Sequence, residues 1–392
     1  MAVKGSPTAR SAALVRLVRI VGIVVAICMF FGIADSGVSW AATPAIRSIR
    51  AIKKGASSFF ALEGLAVNPE TNTVYTTDGL ELFVINGAND KVTHTLHVDS
   101  FGLGVDPVTG MLYVTNGKTV SVINGATDRV VDTIDVKYGA VFIAVNPSTN
   151  TVYVTSGKTV SVINGATDRV THAIHLGAHV FAIAMNPTTN TLYVGLSENS
   201  YATYFGQAAA NRLAVINGAT DKVTRTIDLS SQAAQQLAVN PTTNTVYVGG
   251  NSIFVINGAT DKVTDQLFVS GLMTVNPATN TVYVNNGKAV SVINGATDKV
   301  TSTLHVKSAG IGFAVNQTTN TVYSSDGDFV SAISFGNPSH SVVSGDSIWL
   351  AVVGLVVVGG GSALINVSKR RRLDAQQADE DGTPPQRYQR RR

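Results

Sequence analysis

Cysteine is all but absent: Cys28 is the only one in 392 residues. A disulfide framework and a cysteine-based zinc site are thereby excluded. Proline is sparse, with 11 copies, and the 36 glycines follow no Gly-X-Y period, so a collagen-like rod is excluded. Charged residues make up 14% of the chain against 45% hydrophobic, the reverse of the composition that keeps a chain disordered. Basic residues are scarce in the middle. Residues 43–346 carry 17 Lys/Arg against 20 Asp/Glu, so the formal net charge of +4 comes from the two ends. The middle lacks the basic face that nucleic-acid binding needs, and no nucleic-acid partner is expected.

The two ends read as membrane topology. Lys4, Arg10, Arg16 and Arg19 precede an apolar run from Ile20 to Ile33, and small residues at Ser39 and Ala41 follow. This three-part pattern predicts a secretory signal peptide over 1–42, cleaved at or near Ala41. A second apolar run, Ile348–Val367, holds twenty residues without a charge and ends at Lys369-Arg370-Arg371-Arg372. Its length of ~30 Å as a helix matches one hydrocarbon core, and a flanking basic cluster stays cytoplasmic. The spans are therefore a linker over 337–346, a transmembrane helix over 347–368 and a basic cytoplasmic tail over 369–392. The expected location is the cell membrane, single-pass, with the bulk of the chain extracytoplasmic.

Between these ends the sequence repeats. Asn-Pro-x-Thr-Asn-Thr-x-Tyr begins at Asn68, Asn146, Asn186, Asn240 and Asn276, with degenerate copies from Asp106 and Asn316. The seven copies are spaced by 38, 40, 40, 54, 36 and 40 residues. A second motif, Ile-Asn-Gly-Ala-x-Asp-Lys/Arg-Val, follows each of the first six. Within one copy, apolar and β-branched residues alternate in runs of five to seven, broken by Asn-Pro, Ser/Asn-Gly and Asn-Gly-Ala turns. That predicts four short antiparallel strands per ~40 residues, which is one propeller blade. The seventh copy ends after its third strand, while a surplus strand, Ile46–Ile52, precedes the first. The N-terminal strand can therefore complete the last blade, as a closed ring requires. The fold class is all-β: a seven-bladed β-propeller of four-stranded blades over 43–336, closed by an N-terminal strand, with a C-terminal transmembrane helix.

Tyr113-Val114-Thr115-Asn116 spells the YVTN tetrapeptide, and other copies vary it, as in Tyr153-Val154-Thr155-Ser156. The chain resembles the YVTN-repeat β-propellers of bacterial and archaeal surface and periplasmic proteins. The resemblance covers all seven copies. It implies a fold and leaves the function open, because propellers host many unrelated activities.

Few residues invite chemistry. The predicted innermost strands are apolar, with Glu63 the one charged residue beside them, so a channel-centred enzyme lacks its acids, bases and ligands. His94/His97 and His172/His175 are spaced three apart, which puts each pair on opposite faces of a strand rather than on one metal. With His179 and His305 they read as surface polar residues. The Asp of the second motif, from Asp90 to Asp298, occurs singly and lacks calcium-loop density. It reads as a turn residue whose carboxylate accepts local backbone N–H bonds. No metal and no cofactor are expected.

The break in the repeat is more informative. The spacing of 54 places about fourteen extra residues between the second and third strands of the fourth copy, around Leu196–Arg212. They include Tyr201, Tyr204 and Phe205, and Tyr138 and His179 lie in interblade links on the same face. These five residues are the candidate binding site, since aromatics on loops above a rigid scaffold suit an interface. The expected function is a binding or scaffolding module for an extracellular or cell-envelope protein or glycan. The alternative is an extracytoplasmic enzyme or enzyme accessory of the lactonase-, lyase- or redox-associated kind.

Overall fold

The computed structural model describes residues 45–50, 64–197, 212–229, 236–306, 312–326 and 329–335. The expected signal peptide, linker, transmembrane helix and tail lie outside these residues, as do Tyr201, Tyr204 and Phe205. Among the described residues no helix is long and apolar enough to cross a membrane.

These residues form an all-β, propeller-like arrangement of antiparallel sheets. Five sheets have four strands and one has seven. Each repeat runs from an inner strand through a second and a third to an outer strand. In repeat 5, for example, Gln236–Asn240, Thr245–Gly249, Ile253–Asn257 and Lys262–Leu267 are paired in that order. The last repeat has three strands of its own, and its fourth is the N-terminal segment Ala45–Arg50. That segment lies antiparallel to Phe329–Ser334, with Ala45 opposite Ser334 and Arg50 opposite Phe329.

The seven-stranded sheet departs from the regular pattern expected of the sequence. Repeats 2 and 3 share one continuous strand, Arg129–Asn146, which is outer strand to one and inner strand to the other. The link Val136–Val141 contains β-formers and no turn residue except Gly139. It stays extended, and Ala140 pairs back to Gly117. The other described links carry Ser or Gly, as in Asp99-Ser100-Phe101-Gly102 or Val269-Ser270-Gly271, and there the strands separate.

Local chemistry sets the turns. The second Asn of the first motif is left-handed in six repeats, from Asn72 (φ 52) to Asn320 (φ 50). Repeat 2 has Gly110 there, with φ 72. Asn and Gly interchange because both tolerate positive φ. The first Asn accepts the next turn's N–H groups: Asn146 Oδ1, for instance, takes Ser148 N at 3.0 Å. In the second motif the local acceptor is also Asn rather than the expected Asp. Asn86, Asn124, Asn164, Asn217, Asn257 and Asn294 each accept the N–H of the alanine two residues on, at 2.9–3.0 Å. The Asp that follows is left-handed, with φ between 52 and 58 in all six copies.

The outer strands are open edges, and each of the six in the first six repeats has a register shift against its third strand at the same place. In five of them a Thr hydroxyl bonds a third-strand carbonyl beside the shift, as Thr171 Oγ1 does to Val162 O at 3.1 Å. Such bulges bend an edge away from further pairing. The core lies between sheets, where Val, Leu and Ile of neighbouring repeats pack around one tyrosine per repeat. All seven of these tyrosines, Tyr75 to Tyr323, are fully buried.

Candidate functional site

Every repeat has two ends with different chemistry. At the turn end lie the Asn-Pro and Asn-Gly-Ala turns; at the link end lie the starts of the inner strands and the hairpins between second and third strands.

The turn end is built for cohesion. An amide ladder runs from repeat to repeat: Asn146 Nδ2 donates to Asn190 Oδ1 (2.7 Å), Asn186 to Asn244 (2.8 Å), Asn240 to Asn280 (2.7 Å) and Asn276 to Asn320 (2.8 Å). Asn316 in the last repeat then donates to Asn72 in the first, at 2.8 Å. Each buried tyrosine reaches the turn of the following repeat. A Cβ on Gly125 would lie 2.7 Å from Tyr75 Oη and 2.7 Å from Gly110 O, so only glycine fits there. Burial pushes the phenols of Tyr75, Tyr113, Tyr153 and Tyr193 up to about 12, with the Asp of the next repeat as a lesser cause. Burial likewise raises the carboxyls of Asp128, Asp168, Asp221, Asp261 and Asp298.

These aspartates are turned toward the preceding repeat. Asp128 Oδ2 lies 2.7 Å from His94 Nδ1, Asp221 Oδ2 3.0 Å from His172 Nε2, and Asp261 Oδ2 4.0 Å from Arg225 Nη1. His94 and His172 are exposed, as expected of surface polar residues, and their ring nitrogens also meet the aspartate of the next repeat; His97 meets Glu81 within its own sheet at 3.1 Å. Among the described residues no three His, Cys, Asp or Glu side chains gather as a metal-ligand group.

The link end is different. The first residues of all seven inner strands surround one cavity of ≈ 280 Å³. Phe101, Phe142, Phe181 and Phe313 come from four repeats, and among the described residues no charged side chain lines it. Large apolar side chains are also exposed around this end: Phe268 at 88%, Leu80 at 52% and Phe329 at 45%. Leu80 sits in the hairpin closed by Thr77 and Leu82, Phe268 follows the end of an outer strand, and Phe329 opens the third strand of repeat 7.

Of the sequence-predicted residues, His179 and Tyr138 belong to the same end. His179, half-buried, pairs with Ser197, and Leu196 pairs with Arg212. The insertion therefore departs and returns beside His179. Tyr138 lies in the strand shared by repeats 2 and 3. The three aromatics of the insertion lie outside the described residues. Sequence reasoning missed Leu80, Phe268 and Phe329. A usable signal existed: each occupies a position that is polar or small in most other repeats.

No family model matches the chain, and no curated protein matches it. Among solved structures, a chain from one titled "Crystal Structure of Mitotic Checkpoint Complex" is similar at TM-score 0.62. The likeness covers 74% of this chain and 91% of that one, at 11% identity. In all, 1490 solved chains match. At that identity the likeness is one of fold, a propeller-like one, and a fold so widely shared selects no activity.

Proposed function

We propose that the chain is a seven-bladed β-propeller of the YVTN-repeat type, closed by its N-terminal strand. It is secreted through a cleaved signal peptide, held by the C-terminal span with its tail cytoplasmic, and works as an extracytoplasmic binding or scaffolding module. The link end is the binding face, and its partner is a protein of the cell envelope or the extracellular space.

One observation carries this reading. The large exposed aromatic and leucine side chains of the described residues, Leu80, Phe268 and Phe329, are all at the link end. Side chains of this kind supply the anchors of most protein interfaces, and their apolar chemistry favours a protein over a glycan. Closure is supported by the pairing of Ala45–Arg50 with Phe329–Ser334 and by the Asn316–Asn72 bond between last and first repeats.

The test uses the full chain in its native membrane. Chemical cross-linking of cells should give a discrete adduct that disappears when Leu80, Phe268 and Phe329 are replaced together by Ser, at unchanged protein level. An unchanged adduct would sink the assignment of the face. Protease added to intact cells, or to spheroplasts where an outer membrane exists, should remove the propeller and spare a fragment carrying residues 369–392.

A further inference from the structure

Both ends of the described chain leave the sheets at the turn end. The last strand runs from Phe329 to Ser334, and Ser334 is opposite Thr321, directly after the turn of its own repeat. Phe335 is pinned there. Its N–H donates to Asn320 O at 3.0 Å, its carbonyl accepts Asn320 Nδ2 at 3.0 Å, and its ring centroid lies 4.7 Å from that of Tyr283. At the other terminus Ala45 is opposite Ser334, so the N-terminal strand starts at the same end.

The turn end also carries a set of basic side chains. Lys91, Arg129, Arg169, Lys222, Lys262 and Lys299 open the outer strands of the first six repeats, each opposite the Asn that begins the Asn-Gly-Ala turn. All six are exposed, and no ion pair among the described residues holds any of them. The aspartate before each is half-buried, and the alanine at each of these turns is exposed. Glu70 is the one exposed carboxylate in the described turns.

We infer that the turn end faces the membrane and that its basic side chains contact the headgroups of anionic phospholipids. The inference rests on the reading of Ile348–Val367 as a span and adds the surface that meets the bilayer. Ile348 is thirteen positions beyond Phe335. A chain of that length reaches ~45 Å at full stretch and averages ~20 Å end to end as a coil. A strand of six residues such as Phe329–Ser334 is ~20 Å long, so the link end stands about that much farther from the point of exit. Turning the link end to the bilayer would use up the tether along the flank of a sheet, whereas the turn end reaches it directly. The long Lys and Arg stems extend beyond the half-buried carboxylates. Within about a Debye length of an anionic surface their charges are attracted to it.

The test uses the full chain reconstituted in vesicles, with Cys28→Ser removing the native thiol. A donor dye is attached through Ala166→Cys, at an exposed turn, or through Lys158→Cys, at the exposed hairpin on the opposite end of the same repeat. A headgroup-labelled lipid is the acceptor. In phosphatidylcholine vesicles containing phosphatidylglycerol, energy transfer from position 166 should exceed that from position 158 by about twofold or more, given a separation of ~20 Å. Omitting phosphatidylglycerol, raising the salt, or combining Lys91→Gln, Arg129→Gln and Arg169→Gln should each lower transfer from position 166, with Tm retained in the triple variant. Equal transfer from the two positions, or stronger transfer from 158, overturns the orientation. Transfer from 166 that ignores lipid charge, salt and the triple variant overturns the headgroup contact. Release of the chain by alkaline carbonate overturns the span, and the inference falls with it; a retained chain with equal transfer overturns the inference alone.

Discussion

His94 Nδ1 lies 2.7 Å from Asp128 Oδ2, and one repeat further on the same two positions are Asp132 and Asp168. The strand register fixes the equivalence, since His94 is opposite Val84 and Asp132 opposite Val122. The series continues as His172–Asp221, Arg225–Asp261 and Asp265–Asp298. Three joins thus place a basic or ionisable nitrogen on the aspartate and two place a second carboxylate there. In those two, the neighbouring Asp132 and Asp265 add to burial in raising Asp168 and Asp298.

The first prediction follows from this alternation. Asp132→Arg and Asp265→Arg should each stabilise the domain, by about 0.5–1 kcal/mol for a half-exposed pair. Thermal melts at low ionic strength should show a rise of about 1–3 °C per substitution. The gain should shrink at high salt, because the pairs are screened. A fall in Tm, or a rise indifferent to salt, would count against the electrostatic account.

The second concerns the amide ladder at repeat 2. Where other repeats have Asn, this one has Asp106, and the left-handed partner in the next repeat is Asn150. Asp106 Oδ2 and Asn150 Oδ1 are both buried and without a hydrogen-bond partner. An ionised carboxylate has no N–H to give, so it cannot act as the donor that Asn146 or Asn186 provides. Asp106→Asn should restore the rung and raise stability by about 1–2 kcal/mol. Asn276→Asp, which breaks an existing rung, should lower it by a similar amount. Urea midpoints of the two variants moving in the same direction would refute the ladder as a source of cohesion.

The third is a pH dependence with a worked sign. Five aspartates have carboxyls raised above their usual value by burial. A raised group binds its proton more tightly in the folded state. The stability it contributes is complete below the unfolded value of about 3.9 and is lost as pH rises through the folded value. Tm should therefore increase as pH is lowered from neutrality toward about 4, the reverse of ordinary acid denaturation. The same sign applies to the tyrosines. Phenols pushed up to about 12 favour folding below the unfolded value of about 10 and cost stability as pH climbs from there to about 12. Steep alkaline unfolding in that window is expected, shallower in Tyr153→Phe. A Tm that falls monotonically from pH 7 to pH 4 would contradict the aspartate half.

Strand order and turn positions were legible because the repeat is written in residues with a single conformational use. Asn72 and its equivalents mark a left-handed position so consistently that Gly110 in their place confirms the requirement. The fused strand Arg129–Asn146 was not legible as such, because its link carries Gly139, and a glycine in a short link reads as a turn until the pairing of Ala140 with Gly117 is seen. Nor was the inter-repeat role of Asp128 or His94: periodicity tells which face of a strand a side chain occupies, not what the next sheet brings to meet it. The candidate face was read from Tyr138, His179 and the insertion, by its disruption of the pattern. Leu80, Phe268 and Phe329 each stand where most other repeats carry a polar or small residue, a signal visible only when the copies are compared position by position.

The last prediction concerns the N-terminal strand. Ala45–Arg50 belongs to the sheet of the last repeat, some 280 residues distant in sequence, and supplies the outer strand that this repeat lacks. Long-range pairing of this kind costs chain entropy to close and repays it only if the two ends lock a ring. Deleting residues 43–53 removes six ladder positions and exposes the Phe329–Ser334 edge. A loss of about 3–6 kcal/mol is expected at ~1 kcal/mol per ladder hydrogen bond, together with aggregation through the opened edge. Deleting 382–392, an equal length outside every sheet described, should leave Tm and solubility unchanged. A single substitution, Ile49→Pro, separates pairing from mere presence of the segment: proline removes a ladder N–H and fixes φ, yet keeps the chain length. If the long deletion and the proline both lower Tm while the tail deletion does not, the strand closes the ring by pairing. Equal behaviour of the two deletions would mean that the last repeat stands without its fourth strand, and the closed propeller would have to be abandoned.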